Sequence, residues 1–210
     1  MTPSDVEALF TRADGTYHCA RWGRPIAPIV FGVQDETLAV VKGALEAVCA
    51  LAGHQMAETD PEQGTNLMVF FFRAWDELLA VPDLGQLVEG LPEMLARLKA
   101  EAANQYRVFR FDADGSIRAA FVFLRMDRAL AAVPAEELAL GQVVRIMLSW
   151  GEAAFAVRSP LAVAAGRVVL RPDIAALICA AYDPVMPAVG ADASHALRLY
   201  ARIASNLPKT

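Results

Sequence analysis

Four polar side chains recur at helical spacing in the segment 134–150 and just beyond it. Gln142, Arg145, Ser149 and Glu152 follow one another at steps of three, four and three residues, and residues at such steps share one face of an α-helix. Arg145 and Glu152 could bind a polar ligand if this stripe lines the floor of a cleft. Such a stripe is more often the solvated face of an amphipathic helix. Both interpretations stay open, and these four residues are the candidate binding site.

Metal and nucleophile chemistry has little support in the residue types. The chain has three histidines, His18, His54 and His195, and no His-Glu-x-x-His, the spacing with which a helix presents two zinc ligands and a general base. Because the three histidines are far apart, we expect them to be structural or exposed. We expect no catalytic residue, no metal site and no cofactor.

Other short motifs are also uninformative. There is no Gly-x-Ser-x-Gly, Gly-x-Gly-x-x-Gly or phosphate loop. The segment Asp112-Ala-Asp114-Gly115 could suggest a calcium loop, but Ile117, Ala119 and Phe121 follow where oxygen ligands are needed, so we expect a hairpin turn. The cysteines lack any Cys-x-x-Cys pair and are expected to be reduced thiols: Cys19, Cys49 and Cys179.

Composition limits the classes of partner. The 210 residues are 56% hydrophobic and 20% charged, with a net charge of −5, which favours a compact fold. Lysines and arginines are scattered, so we expect no nucleic acid as partner. No apolar run reaches the length of a membrane span. The first residues do not have the pattern of a signal peptide, so we expect a cytoplasmic protein if Met1 is the native start.

Hydrophobic periodicity predicts the elements that must position the stripe. Strands are predicted at 26–33, 66–72, 106–112 and 116–124, with a short extended piece at 162–170; helices are predicted at 35–52, 134–150, 172–182 and 191–207, with an interrupted helical stretch at 74–104. We expect an irregular N-terminal arm at 1–24 and a single domain at 25–210. The expected fold is α/β or α+β, with a twisted mixed sheet of four to five strands and helices packed on it.

Several segments together resemble a family of uncharacterised proteobacterial proteins with a zincin-like fold, some of them described as lipoproteins from sequence. The resemblance is carried by Arg21-Trp22-x-x-Pro25-Ile26, by the helix 35–52 and the strand 66–72, by Asp173-x-x-x-Leu177-x-x-x-x-Tyr182-Asp183-Pro184, and by Gly190 before the closing helix. It covers most of the chain in short motifs and implies a zincin-like fold and a bacterial source.

In a zincin, the helix after the strand 116–124 would carry the zinc ligands and the general base. Here Arg145 or Val144 would fall about where the base is expected, and apolar residues replace the histidines. An arginine at this position would repel a divalent cation. The resemblance therefore implies a pseudoenzyme: a metalloprotease-like scaffold without zinc chemistry.

Three hypotheses of function follow. The first is a non-catalytic binding or accessory protein that uses a protease-like cleft for a peptide or another protein. The second is a hydrolase of unrecognised class that uses carboxylates in the same cleft, with Glu136, Glu137 and Glu152 as candidates. The third is a structural or oligomerising module, which an exposed apolar patch would indicate. The sequence does not specify the ligand or the oligomeric state.

Overall fold

The structure is a computed structural model that describes residues 1–206. The strands are β1 (Cys19–Ala20), β2 (Pro28–Phe31), β3 (Leu67–Phe72), β4 (Gln105–Phe111), β5 (Ile117–Arg125), β6 (Leu161–Ala164), β7 (Arg167–Leu170) and β8 (Val189–Gly190). The helices are α1 (Pro3–Ala8), α2 (Asp35–Ala52), α3 (Leu84–Leu87), α4 (Leu91–Ala100), α5 (Arg128–Ala131), α6 (Ala135–Met147), α7 (Pro172–Tyr182) and α8 (Ala193–Asn206), with a 3-10 helix at Trp75–Ala80.

A four-stranded mixed sheet in the order β2-β3-β5-β4 is the centre of the fold. The strands β2, β3 and β5 are parallel, and β4 pairs with β5 in the antiparallel direction. The connection between β4 and β5 is the tight turn predicted at 112–115, where Gly115 takes a φ of 83° that favours glycine. The prediction of a mixed sheet in an α/β protein is confirmed at this level.

Helices cover both faces of the sheet because the two central strands are apolar on both sides. In β5, Ala120, Val122 and Leu124 belong to the larger core with α2, α6, α7 and α8. The intervening Phe121 and Phe123 belong to a second core with the 3-10 helix, α3 and α4. Side chains of a strand alternate between its faces, so one apolar run serves two cores. In β3, which corresponds to the strand predicted at 66–72, Leu67 and Val69 likewise belong to the larger core and Phe70 and Phe72 to the second.

The predicted helix 35–52 is confirmed at both ends. Val41, Leu45 and Val48 are buried on one face. Gly53 follows with φ 65°, and its N–H and the next one bond to carbonyl groups of the last turn, as in a glycine-terminated helix. The bounds 35–52 predicted from hydrophobic periodicity therefore agree with the structure.

The expectation that residues 1–24 are irregular is wrong in part. They contain the helix α1, which packs against α8, and the strand β1, which pairs with β8. Trp22 is fully buried and its ring N–H donates to the carbonyl oxygen of Ile146 at 2.8 Å. The apolar side chains of this segment, Val6 and Phe10 among them, belong to the main core, and burying them gives the segment a fixed structure.

The helix predicted at 134–150 is α6, and it ends three residues earlier than expected. Leu148 is extended, with φ −136° and ψ 156°, and forms a bridge with Arg21. The next N–H groups are bound by the N-terminal segment, since Ser149 N–H donates to Ala20 and Gly151 N–H to Leu9. A helical prediction for 148–150 is therefore wrong, because tertiary hydrogen bonds replace the helical ones.

Two further predictions are refined. The extended piece at 162–170 is a hairpin of β6 and β7. The closing helix begins at Ala193, and the predicted end at residue 207 lies outside the described residues. Within residues 1–206, none of the helices has the length and hydropathy needed to cross a membrane.

Candidate functional site: an arginine-lined cleft

A cleft of about 570 Å³ lies between β4 and the chain that follows α6. We call it the arginine cleft: it is lined by β4, by Arg145 at the end of α6, by the segment 149–156, and by Arg12. Its volume lies within the usual range for ligand sites in proteins. Gln105, Arg107 and Phe109 alternate along β4 and contribute to one wall, as the two-residue period of a strand requires.

Arg107 is held in place by amide groups instead of a carboxylate. Its guanidinium donates to Gln142 Oε1 at 2.8 Å, and the Gln142 side-chain amide donates in turn to Gln105 Oε1 at 2.7 Å. Burial and then the nearby positive charge of Arg145 lower the pKa of Arg107 to about 10. The site thus keeps a guanidinium in a partly desolvated place beside a second one.

Arg145 lines the same cleft from the end of α6. Its guanidinium donates to the carbonyl oxygen of Gly141 at 2.9 Å, one helical turn earlier, and lies 5.3 Å from the ring centre of Phe155. This geometry allows a cation–π interaction. Burial lowers the pKa of Arg145 as well. Both contacts fix the direction of the side chain without neutralising its charge.

Ser149 and Glu152 connect the cleft to the N-terminal segment. The Ser149 hydroxyl accepts a hydrogen bond from the N–H of Ala20 at 2.7 Å, and Glu152 Oε2 accepts one from the N–H of Ala13 at 3.0 Å. Between them, Gly151 lies so close to the N-terminal segment that an added Cβ would be 2.3 Å from the carbonyl oxygen of Thr11. A glycine is needed here because no side chain fits.

Three of the four residues predicted from sequence line the cleft, namely Arg145, Ser149 and Glu152. Gln142 is buried behind Arg107 and positions it. The explanation by a single helix face is wrong for Ser149 and Glu152, which come after the end of α6. The stripe as a whole is neither flat nor fully solvated, since Gln142 and Ser149 are buried and Arg145 is half-buried.

Arg107, Arg12 and the aromatic residues Phe109, Trp150 and Phe155 also line the cleft but were not predicted from the sequence. Arg107 stands in the alternating stretch Tyr106-Arg107-Val108-Phe109, on the same side of β4 as Phe109. An arginine on the face of a strand that also carries a core phenylalanine is the one signal that could have indicated it. Nothing local marks Arg12, which reaches the cleft from the N-terminal segment.

The carboxylates proposed for hydrolysis do not meet in this cleft. Glu136 and Glu137 lie in the first turn of α6, at the other end of the helix from Arg145. Among the described residues that line the cleft, Glu152 is the single carboxylate, whereas glycosidase-type acid–base chemistry needs two. The arrangement suits the binding of a ligand better than a reaction that uses paired acids.

The histidines lie in three separate environments. His54 Nε2 is 3.0 Å from the carbonyl oxygen of Arg24, and His195 Nδ1 is 2.9 Å from the Tyr17 hydroxyl. His18 packs edge-on against Phe111, which lines the cleft. Within residues 1–206, no group of three or more His, Cys, Asp or Glu side chains lies close enough to hold a metal ion.

Comparisons with protein-family models, with curated proteins and with solved structures found no match to this chain. The functional conclusion therefore depends on the geometry of the cleft.

Proposed function

We propose that this protein is a non-catalytic binding protein, on a zincin-like scaffold, that holds an extended peptide segment in the arginine cleft along β4. The observation that carries the proposal is the position of β4. It pairs with β5 on one side, and the four-stranded sheet ends there. Its other edge pairs with no strand among residues 1–206, and side chains of the same strand line the cleft.

The hydrogen-bond pattern of β4 supports binding by strand addition. The N–H of Arg125 donates to the carbonyl oxygen of Asn104 at 2.8 Å, and antiparallel pairs alternate between bonded and non-bonded. With Gln105 opposite Leu124, the backbone N–H and C=O groups of Gln105, Arg107 and Phe109 point away from β5. Such a row of backbone groups can pair with an extended peptide.

The zincin-like part of the proposal is supported by the order of the elements. The strand β5 is followed by α6, with the short helix α5 between them. Val144, which lies near the position expected for the base, is buried in the main core, and its neighbour Arg145 contributes a positive charge. A scaffold of this kind would retain a peptide-binding edge while lacking the groups for zinc chemistry.

A pair of variants tests strand addition. Immobilised protein is incubated with a random pool of decapeptides blocked at both ends, and the retained peptides are identified by mass spectrometry. Phe109→Ala removes only the ring, whereas Phe109→Pro also removes an N–H that points to the open edge. We expect retention by the wild type and by Phe109→Ala, and a loss of retention of about tenfold in Phe109→Pro relative to Phe109→Ala.

Circular dichroism establishes that both variants keep the wild-type spectrum. Equal retention by the two variants would overturn binding along the edge of β4. The masses also test the absence of catalysis: intact peptides are expected, and cleaved products that accumulate with time would favour the hydrolase hypothesis.

A further inference from the structure

The charges of the arginine cleft define what a bound peptide must carry. Among residues 1–206, every ion pair is made by other side chains, and neither Arg107 nor Arg145 has a carboxylate oxygen within 4.0 Å. Arg12, an exposed residue that also lines the cleft, adds a third positive charge, whereas Glu152 is the one carboxylate among the described lining residues. This excess of positive charge occurs in a protein whose net charge is −5.

Most of the hydrogen-bonding capacity of the two guanidinium groups is unused. In the described part of the chain, Arg107 donates one side-chain hydrogen bond, to Gln142, and Arg145 donates one, to Gly141. A guanidinium carries five N–H donors in a planar fork that matches a carboxylate. Several donors of each arginine are therefore available to a ligand in the cleft.

The two guanidinium groups are also oriented in advance. Gln142 is buried and is itself held by Gln105, so Arg107 is supported from behind. Phe155 lies against Arg145, and the Phe155 ring packs edge-on against Trp150 at 4.9 Å. Side chains fixed in this way lose less conformational entropy on binding. Charge-assisted and bidentate hydrogen bonds to a carboxylate are the strongest contacts they can make.

We propose that the arginine cleft is specific for a carboxylate, which Arg107 and Arg145 bind together on a peptide lying along β4. This inference rests on the proposed function for the peptide but not for the carboxylate. The carboxylate comes from an acidic side chain or from the C-terminus of the peptide. Because Arg107 is part of β4 itself, the carboxylate lies beside the peptide residue that pairs with the middle of the strand.

The source of the carboxylate is resolved by four decapeptide pools. Their other positions are random among uncharged residues. Three pools are blocked at both ends and carry Glu, Gln or Lys at the fifth position; the fourth carries Gln there and has a free C-terminus. We expect the wild type to retain the Glu pool or the free-C-terminus pool at least tenfold better than the blocked Gln pool, and the Lys pool least of all.

Three variants locate the effect. In Arg107→Met and Arg145→Met, the preference for the carboxylate over the blocked Gln pool should fall to below threefold. Arg110→Met is the matched control, because Arg110 is an exposed arginine of the same strand that does not line the cleft; it should keep the full preference. Equal retention of the blocked Glu, Gln and Lys pools, with no gain from a free C-terminus, would overturn the carboxylate inference and leave strand addition intact.

Failure of the peptide proposal gives a different result. If no pool is retained, sodium succinate is titrated into the protein and the side-chain Nε–Hε signals of Arg107 and Arg145 are followed by NMR. Saturable shifts of both signals in the wild type would support the carboxylate site without the peptide, provided that the signal of the remaining arginine does not shift in each Met variant. Unshifted signals would overturn the carboxylate site.

Discussion

Two clefts of this protein contain arginines in opposite circumstances. In the arginine cleft, Arg107 and Arg145 contact amide and carbonyl oxygens and an aromatic ring. A second cleft, of about 660 Å³, is lined by residues 23–25, 57, 59–62, 112–114 and 116, and we call it the carboxylate cleft. There Arg24 forms ion pairs with Asp60, Glu62 and Asp112.

The comparison shows that the partners of an arginine decide its role. Arg24 joins three segments that are distant in the chain, and its charge is compensated within the fold. The charges of Arg107 and Arg145 are uncompensated among the described residues, and burial lowers the pKa of both. An arginine of the first kind stabilises the native state, whereas arginines of the second kind favour the binding of an anion.

Asp60 gives the largest expected effect, because it is the buried centre of the carboxylate cleft. Its carboxylate accepts hydrogen bonds from the N–H groups of Glu62 and Gln63, from Asn66 and from Arg24. Asp60→Ala leaves these donors without their partner, so we expect the free energy of unfolding to fall by about 4 kcal/mol. Urea unfolding followed by circular dichroism measures the change.

Glu62→Ala is the control for Asp60, because the Glu62 side chain is 58% exposed and its removal should cost less than about 1 kcal/mol. A loss for Asp60→Ala no larger than that for Glu62→Ala would contradict the structural role of the carboxylate cleft.

Burial alone would raise the pKa of Asp60, but the hydrogen bonds together lower it below 3.8. The contribution of the Asp60 carboxylate to the free energy of unfolding is therefore complete at a pH above its pKa in the unfolded chain. It is lost as the pH falls through the lowered pKa of the folded protein. Asp60→Asn should remove this acid-dependent loss.

His195 gives the second largest effect and must be separated from that of Asp60. Burial, and secondarily the positive charge of Arg198, lower the pKa of His195 from 6.5 to about 4 against the opposing charge of Asp192. The unfolded chain binds this proton first, so stability is lost as the pH falls from 6.5 towards 4. We expect a loss of about 3 kcal/mol over this range.

His195→Gln keeps a hydrogen-bonding group near Tyr17 and removes the titration. Its free energy of unfolding should vary by less than half as much as that of the wild type between pH 6.5 and 4. Below pH 4 the two proteins should lose stability in parallel, because carboxylates such as Asp60 remain. Equal pH dependence of the two proteins above pH 4 would assign the loss to other groups.

Arg107→Met tests the comparison in the opposite direction. The substitution removes a partly desolvated charge that faces Arg145 and sacrifices one hydrogen bond to Gln142. We expect the free energy of unfolding to stay the same or to rise by up to about 1 kcal/mol. Arg24→Met, measured by the same urea unfolding, should instead lower it by about 2 kcal/mol, because Asp60 loses its charge partner. Equal destabilisation by the two substitutions would contradict the distinction between the clefts.

The same contrast shows what could be predicted from the sequence. The helix 35–52 has an apolar face and is followed by a glycine, and the strand 66–72 is an apolar run. Both are local signals, and the apolar pattern was sufficient to predict each element. The end of α6 is not local, because Leu9 and Ala20 bind the N–H groups of Gly151 and Ser149.

The partners of the arginines are equally non-local. Asp60 is 36 residues from Arg24 and Asp112 is 88 residues away. Nothing beside Arg107 in the sequence indicates that it lacks a carboxylate partner among the described residues. Arg145, Ser149 and Glu152 could be proposed from their spacing, although two of them lie in the segment that follows the end of α6. The excess of positive charge in the arginine cleft could not be predicted, because Arg107 reaches the cleft through the position of β4 in the fold.

Glu152 gives the smallest effect and tests the charge of the arginine cleft most directly. It is exposed, it is the single carboxylate among the described lining residues, and its Oε2 accepts a hydrogen bond from the N–H of Ala13. In Glu152→Gln, the amide oxygen can keep this hydrogen bond, so the free energy of unfolding should change by less than about 0.5 kcal/mol. Removing the negative charge should raise the retention of the carboxylate-bearing peptide pool two- to threefold, about 0.5 kcal/mol. Glu46→Gln, an exposed position in the middle of α2, makes the same change of net charge outside the cleft and should leave retention unchanged. Equal gains from the two substitutions would mean that retention follows the net charge of the protein. This result would contradict a specific carboxylate site in the arginine cleft.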